Sequence, residues 1–507
     1  MEGARRRLFL GFDVGTQGAK GLLLDAERGA ILARAASSYG LIEGLPPGAA
    51  EQHPDTWATA LREITTTLFA TAPADAEALA AIGVAGQQHG CVVLDSQGGV
   101  VRPAKLWCDT TTHREARELS DRLGRHVPVG YTASKLLWLA RHEPSNFARV
   151  RSVLLPHDWI NFRLTGRRSM EAGDASGTGL FDAVTRQFDR FALDSIDRRL
   201  AGMLPSLTAA GAPAGELTEE GARWLGLPLS TAGVMVASGG GDNMMSAIAS
   251  GATRNGVAVM SLGTSATVFT YSERPVIDPS GAIAPFCDST GGWLPLLCVM
   301  NATGVLEEVR AAFGVDLATL TREAERIAPG CDGLTFVPYL MGERVPDLPS
   351  ASGAITGLRP GMLRRDRLFR AALEGVAINL AWGVERMREL GLAIDSVRLV
   401  GGGAHNRLWR RILADALRAP IQPLEEAESG ALGAALQAVW TRRRQLGETI
   451  TADAVAAPWI RFEGEPIEPE PAGASRYAEL VKGFRDTCDR LFSAAPPSTC
   501  RSPRERS

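Results

Sequence analysis

Three observations predict a mixed α/β protein built from two similar domains. The chain opens with a strand, a tight glycine turn and a second strand (LFLGFD, VGTQGAK, GLLLDAE), and apolar strands then alternate with helix-period segments. The opening pattern returns near the middle, where VAVMSLGTSATVFTYSE again sets Gly-Thr between two strands. At 507 residues the chain exceeds one ordinary core, and a period this long excludes a solenoid, so the repeat reads as an ancestral duplication. A hairpin ahead of a βα pattern makes each sheet mixed, not purely parallel.

The elements follow in order. After a third strand (ILARAASSYG), the segment DTWATALREITTTLFA carries helical spacing over about 54–72. IGVAG and CVVLD are strands, the second closed by a SQGG turn. Residues 130–180 read as largely helical and 185–235 as irregular. Helices are expected at about 301–313, 317–328, 365–391 and 406–418, with the strand–glycine turn–helix segment VRLVGGGAHN between the last two, and another near 430–446. A Pro/Glu linker, EGEPIEPEPAGAS, then leads to an amphipathic helix at about 475–493 and a disordered end, PPSTCRSPRERS. The expected division is 1–244 for the first domain, 245–465 for the second, and 466–507 for a terminal helix and tail.

Composition narrows the function classes. With 45% hydrophobic and 22% charged residues the chain can bury sizeable cores. A formal net charge of -3 gives no support to a nucleic-acid or anionic-membrane partner. Seven scattered cysteines without a CxxC pair point away from zinc and towards a reducing compartment. The arginines and short apolar run of MEGARRRLFLGFDVG stop at Asp13, short of a signal-peptide core, and no stretch is long enough to span a bilayer, so a cytoplasmic protein is expected.

The chemistry-bearing residues fall in four places. Three glycine turns each follow a strand: Gly15-Thr16-Gln17-Gly18, Gly263-Thr264-Ser265 and Gly401-Gly402-Gly403-Ala404. Glycine lets backbone N–H groups approach an anion, Thr and Ser add donors, and Lys20 can serve a phosphate as a point charge. Any one of them alone is more often an ordinary hairpin turn, and neither a P-loop nor a GxGxxG opening a helix is present. Two matching hairpins and a third turn in this order fit a nucleotide triphosphate held across an interdomain cleft. In VASGGGDNMMSA, three glycines precede Asp242 at a helix start: a plain N-cap, or a base that takes a proton from an attacking hydroxyl with Asn243 beside it. In GVAGQQHGCVVLD, Gln88 and His89 interrupt two apolar strands; a satisfied structural histidine is the simpler reading, but a sugar site needs such neutral donors and acceptors. Nearby, Trp107 is either core or a stacking face for a sugar ring.

Taken together these residues resemble the FGGY carbohydrate kinases, from about Leu8 to Trp440. GFDVGTQGAK resembles the family's first phosphate loop, SLGTSAT the second, and GGGDN the segment of its catalytic base. PYLMGERVPD, GLRPG and LFRAALEGVA resemble its signature region, and LVGGGAHNRLWRRILAD its adenosine turn. GQQHG, LLPHDWINFRLTG, DASGT and GYTASKLLWL are similar to the xylulokinase branch. The resemblance implies two ribonuclease-H-like domains of the actin/sugar kinase/Hsp70 ATPase type flanking a deep cleft, with Mg²⁺-ATP as phosphoryl donor and D-xylulose as acceptor. It assigns Asp242 as base; Gln88, His89, Asn243 and Trp107 to the sugar; Gly15, Thr16, Gln17, Lys20, Gly263, Thr264, Ser265, Gly402, Gly403, Ala404 and Asn406 to ATP; and Asp13 to Mg²⁺. It also implies a homodimer.

Three departures bear on the acceptor. Gln88 stands where Met is common, Thr110, Thr111 and Thr112 stand where an arginine is frequent, and Gln17 replaces a common Ser. Ribulose, arabinitol or glycerol are therefore alternative acceptors. Gluconate is less favoured because no extra arginine is evident for its carboxylate. A non-catalytic nucleotide-dependent sensor would not need the sugar-binding set.

Overall fold

The computed structural model describes residues 7–72, 75–425 and 429–492; the terminal segment expected to be disordered lies outside them. The first sheet comprises β1 (Leu8–Val14), β2 (Gly18–Asp25), β3 (Ala30–Ser38), β4 (Leu79–Gly86), β5 (Pro213–Glu216) and β6 (Met235–Ala237). They run in the order β5-β6-β4-β1-β2-β3, and the short pair Gly240–Gly241 adds beside β4. The second sheet comprises β7 (Gly256–Leu262), β8 (Ala266–Thr270), β9 (Ile283–Cys287), β10 (Trp293–Val299), β11 (Ile394–Val400) and β12 (Ile421–Pro423), in the order β9-β10-β8-β7-β11-β12.

The duplication is visible in the pairing. β1 is antiparallel to β2 and parallel to β4, as β7 is antiparallel to β8 and parallel to β11. The run β3-β2-β1-β4-β6 therefore repeats as β10-β8-β7-β11-β12, the ribonuclease-H-like order twice over.

Nine helices matter for the site: α1 (Pro54–Thr71), α2 (Thr132–His142), α3 (Pro156–Thr165), α4 (Asp242–Ser250), α5 (Thr303–Phe313), α6 (Arg365–Glu389), α7 (Arg407–Leu417), α8 (Ser429–Gln445) and α9 (Pro471–Phe492). In α1 the buried Trp57, Leu61, Ile64 and Leu68 lie on one helical stripe, which covers β2 and β3. The helical expectation for 130–180 is corrected in part, because strands Ser152–Leu154 and Ser169–Glu171 interrupt it. Their backbone groups pair with Val92–Leu94 and Ser206–Thr208, partners too distant in sequence to be read locally.

The domains exchange helices. Although α8 closes the second domain's chain order, it lies on the first sheet over Gly11 and Gly83, which are paired neighbours in β1 and β4. A Cβ on Gly83 would stand 1.9 Å from the Ala434 carbonyl oxygen, and one on Gly11 2.1 Å from that of Ala431. In turn α4 buries Met244, Met245 and Ile248 in one cluster with Val257, Val259 and Phe269 of the second sheet. The two helices cross closely: a Cβ on Gly433 would meet the Met245 carbonyl oxygen at 1.8 Å. The β9–β10 hairpin is stitched back onto the first domain, where Cys287 N–H donates to Ser176 Oγ (3.0 Å) and the Trp293 indole to the Ala183 carbonyl (2.7 Å).

The Pro/Glu segment is not a free linker. Ile467 bridges Ile421 of β12, Glu463 N–H donates to the Pro423 carbonyl, and Glu463 pairs with Arg410. β12 is the edge strand of its sheet, so this stretch covers groups that would otherwise face solvent. α9 starts at Pro471, earlier than expected, because proline is well tolerated in a first turn. No helix among the described residues is long and apolar enough to cross a membrane.

Candidate active site

Between the domains lies a cavity of about 190 Å³ lined by Asp13, Lys20, Asp242, Asn243, Ser246, Ser261, Phe269, Val400, Ser429 and Gly430. It draws on both sheets and both crossing helices. Asp13 and Lys20 enter it as cross-strand partners of β1 and β2. Residue 430 must be glycine there, since a Cβ would come within 2.3 Å of Asp13 Oδ2.

Asp242 is the first residue of α4, and Gly241 occupies the N-cap position. The plain N-cap alternative is thereby excluded. Its Oδ1 accepts from the Asn243 backbone N–H (2.8 Å) and from Asn243 Nδ2 (2.9 Å). Burial, reinforced by the negative charge of Asp13, pushes the Asp242 carboxyl up to about 7 against those two bonds. A carboxyl held near neutrality beside a polar cavity suits a general base.

Next to Asn243 stands the polar interruption of the first sheet. Asn243 Nδ2 also donates to Gln88 Oε1 (3.0 Å), and Gln88 is buried. His89 has a left-handed backbone (φ 67°), its carbonyl accepting from Thr132 Oγ1 at the start of α2. For a histidine this conformation is strained, the kind of cost met at functional sites. Its ring sits against Tyr131 (centroids 4.7 Å apart) and against Phe286 of β9 (5.9 Å), so both domains pack against this imidazole. A Cβ on Gly177 would clash with the imidazole at 2.2 Å, which accounts for the glycine of DASGT. Burial, then the charges of Lys135 and Arg344, push His89 down to about 3, so it is a neutral donor–acceptor at physiological pH.

The first Gly-Thr turn is closed by Gly15 N–H donating to the Gly18 carbonyl (3.0 Å), the second by Gly263 N–H donating to that of Ser265 (3.0 Å). Trp107 is tied to the first: its indole N–H donates to Thr16 Oγ1 (2.9 Å), which donates on to Gln87 Oε1 (2.9 Å). In the third turn, Gly401 (φ 88°) packs against the Leu262 backbone, whereas a Cβ on Gly402 would meet nothing within 4 Å. Gly402 therefore offers an open flat face. Asn406 caps α7 by accepting from the Trp409 N–H (3.0 Å) and donates to Thr321 Oγ1 (3.0 Å).

The structure thus gathers Asp13, Lys20, Asp242 and Asn243 into one cavity, with Gln88 bonded to its wall and His89 adjacent. Trp107 and Asn406 meet neighbouring protein groups. Sequence reasoning missed Gln52 and Gln87, which brace the first turn, and Tyr131 and Phe286, which flank His89. It also missed Arg344, whose guanidinium donates to Cys298 Sγ (3.7 Å) and acts on both His89 and Tyr131. Gln87, Tyr131 and Arg344 each lie within a stretch already singled out (GQQHG, GYTASKLLWL and PYLMGERVPD), whereas Gln52 and Phe286 carry no local signal.

The described residues hold no cluster of three or more His, Cys, Asp or Glu able to bind a metal alone. One carboxylate, Asp13, with the hydroxyls of Ser246, Ser261 and Ser429, is a hard-oxygen set that fits a Mg²⁺ arriving on a nucleotide's phosphates.

Residues 8–249 match the N-terminal domain of the FGGY family of carbohydrate kinases and residues 258–442 its C-terminal domain. The chain is 38% identical over 449 residues to a xylulose kinase of Haemophilus influenzae (85% of this chain, 90% of that one). It is 37% identical over 509 residues to a xylulose kinase of Streptomyces coelicolor (97% and 99%). The crystal structure of a "xyloylose kinase" from Brucella ovis superposes with a TM-score of 0.87 at 32% identity, covering 96% of this chain and all of that one.

Proposed function

The chain belongs to the FGGY family of carbohydrate kinases and is a phosphotransferase acting on an alcohol group; from that premise we propose that it phosphorylates D-xylulose to D-xylulose 5-phosphate with Mg²⁺-ATP. The observation that carries the reading is Asp242, a carboxyl raised to about 7 in the wall of the interdomain cavity, one residue from the Asn243–Gln88 contact. The names of the two relatives above favour xylulose as acceptor.

In this reading the ketose lies against Asn243 and neutral His89, and its terminal hydroxyl faces Asp242. As the hydroxyl oxygen bonds to the γ-phosphorus, the bond to the bridging oxygen of ADP breaks and Asp242 takes the proton. Lys20 and the backbone N–H groups of the two Gly-Thr turns stabilise charge on the phosphoryl oxygens, since positioning and electrostatics dominate this chemistry. Asp13 and the neighbouring serines hold Mg²⁺, which neutralises charge on the phosphates when bound. The face of Gly402 receives adenine, with Gly403 and Ala404 continuing that turn. The exchanged helices couple the domains, so closure excludes water from the phosphoryl group.

A second acceptor class has one observation in its favour. Arg344 sets a cation near His89, which suits a sugar acid such as gluconate better than the sequence suggested. A coupled ADP-release assay with Mg²⁺-ATP against D-xylulose, D-ribulose, D-arabinitol, glycerol and gluconate separates the readings. Saturable turnover with D-xylulose well above the rest is expected. Preference for gluconate would transfer the acceptor role to an acid read by Arg344, and no sugar-stimulated turnover would overturn the kinase reading.

A further inference from the structure

Behind the second Gly-Thr turn lies a buried carboxylate that none of the steps above uses. Glu343 belongs to PYLMGERVPD, in the loop after strand Thr335–Val337, and is 1% exposed. Two donors reach each of its oxygens. Oε1 accepts from the backbone N–H groups of Met300 (2.7 Å) and Arg344 (2.8 Å). Oε2 accepts from Asn301 Nδ2 (3.0 Å) and, from the middle of α6, Asn379 Nδ2 (3.4 Å). A carboxylate offers about four acceptor sites and no hydrogen, so these four donors fill it, whereas an amide in its place would bring two hydrogens of its own. Burial raises the Glu343 carboxyl, and the bonds from Met300, Asn301 and Arg344 oppose that rise. With donors on every side, the site matches the ionised form.

Both amides are also fixed from their other ends. Asn301 Oδ1 accepts from the Met341 N–H (3.3 Å), and its Nδ2 donates to the Gly342 carbonyl as well (2.6 Å). Asn379 Oδ1 accepts from the Tyr339 hydroxyl (2.9 Å), which accepts in turn from Cys488 Sγ of α9 (3.6 Å). Every side-chain polar atom of Asn301, Glu343 and Asn379 thus meets a partner of the opposite kind.

What the carboxylate holds is the corner where β10 turns into α5. Met300 and Asn301 directly follow β10. The next two residues, Ala302 and Thr303, carry the N–H groups that donate to the Thr264 carbonyl (2.9 Å) and the Gly263 carbonyl (3.0 Å). Gly304 adds a longer bond to the Thr264 carbonyl (3.4 Å), and a Cβ on it would stand 3.0 Å from Thr264 Cγ2. The same corner touches the third turn, since a Cβ on Gly403 would come within 3.0 Å of Thr303 Cγ2. Two bonds from Glu343 therefore end on the residues that immediately precede the grip on the second turn.

We propose that Glu343 is a positioning residue for the phosphoryl donor: by binding the Met300 N–H and the Asn301 amide it fixes the β10–α5 corner, whose own N–H groups set the second Gly-Thr turn against the phosphates of ATP. The inference rests on the reading of that turn as an ATP loop. A carboxylate that only held the second domain together would show in stability. One that places the turn shows in nucleotide affinity, with the acceptor side untouched.

The test exchanges donor and acceptor across one bond of the cluster. Glu343→Gln keeps the shape but sets an NH₂ group among donors. Asn379→Asp alone sets two carboxylates face to face. In the double variant, the amide introduced at position 343 can donate to the carboxylate introduced at position 379, which still accepts from the Tyr339 hydroxyl. The remaining oxygen at position 343 keeps the Met300 and Arg344 N–H groups, Asn301 keeps the Gly342 carbonyl, and the net charge is that of wild type. Kd for Mg²⁺-ATP, read by calorimetry without sugar, is expected to rise about tenfold in Glu343→Gln, with KM for the sugar within about twofold of wild type. The double variant is expected to return Kd to within about threefold of wild type and to melt above Glu343→Gln. An unchanged Kd in Glu343→Gln overturns the proposal. So does a double variant that regains its melting temperature while Kd stays at the Glu343→Gln value, because Glu343 would then be a strut of the domain alone. A raised KM for the sugar at unchanged Kd for Mg²⁺-ATP overturns it as well. Should Glu343→Gln not fold, Asn301→Ala leaves the carboxylate in place and removes one hold on the corner; Kd is then expected to rise about fivefold, and no rise overturns the proposal. Because Kd is read without sugar, a wild type that binds Mg²⁺-ATP but shows no sugar-stimulated turnover ends the kinase reading while the variants still decide the role of Glu343.

Discussion

The two Gly-Thr turns occupy equivalent places in the two sheets, between β1 and β2 and between β7 and β8, but they are held by different means. The first is gripped from three sides by side chains. Thr16 Oγ1 is bound by Trp107 and Gln87, the Thr16 carbonyl accepts from Gln52 Nε2 (2.7 Å), and the Gly15 carbonyl accepts from the Tyr39 hydroxyl (2.9 Å). The second is held by backbone alone: the Thr264 carbonyl accepts from Ala302 N–H (2.9 Å) and the Gly263 carbonyl from Thr303 N–H (3.0 Å) at the start of α5. Gly263 and Thr264 are exposed, and among the described residues the Thr264 and Ser265 hydroxyls have no protein partner. One copy of the duplicated hairpin is braced by side chains. The other is held by its backbone and leaves both hydroxyls unbonded to protein among the described residues.

If the first hairpin is platform and the second is ligand-serving, the chemistry belongs to neither but to the residue between the domains. Asp242→Asn, which keeps the shape of α4's first turn, is expected to lower kcat by roughly 100- to 10,000-fold with the melting temperature little changed. In the wild type, the base must be deprotonated to act. Since Asp242 is raised to about 7, kcat/KM for the sugar should fall as pH drops through about 7 and level off above it. A variant with near-full activity, or a flat profile between pH 6 and 8, would move the base elsewhere.

The comparison itself is sharpened by a matched pair. Thr16→Val removes a hydroxyl that serves two partly buried partners, Gln87 and Trp107, so unfolding stability should drop by about 1–3 kcal/mol. Thr264→Val touches no such partner and should leave stability within about 0.5 kcal/mol, yet raise KM for ATP by about tenfold through loss of a bond to a charged group. Chemical denaturation and steady-state kinetics on the two variants check both halves. Equal stability losses would erase the asymmetry.

The sequence displays the hairpins and hides their support, for a physical reason. Strand–glycine–strand patterns are local, so β1–β2 and β7–β8 were legible, and so was the glycine run before Asp242. The braces are long-range: Gln87 lies 71 residues from Thr16 and Trp107 lies 91 from it, and nothing in either segment marks the partner. The exchange of α4 and α8 is equally invisible, because Gly11 and Gly83 acquire their meaning only when Ala431 and Ala434 arrive from the far end of the chain. Asp242 could be singled out by its setting among glycines. That it is no N-cap depends on Gly241 taking the cap position, and why its carboxyl rises depends on burial between the domains and then on Asp13 facing the same cavity.

Trp107 gives the smallest expected effect and decides between two roles for one side chain. As a stacking face for the sugar it would be served as well by phenylalanine, which keeps a flat aromatic ring. As a brace it would not, because the indole N–H bonded to Thr16 would be lost. Trp107→Phe is therefore expected to cost about 1 kcal/mol of stability and to raise KM for ATP slightly, with KM for the sugar unchanged. A rise in sugar KM without loss of stability would return Trp107 to the sugar site. It would also weaken the contrast between the two hairpins, since the first would then lose one of its four bracing side chains to the ligand it was thought only to frame.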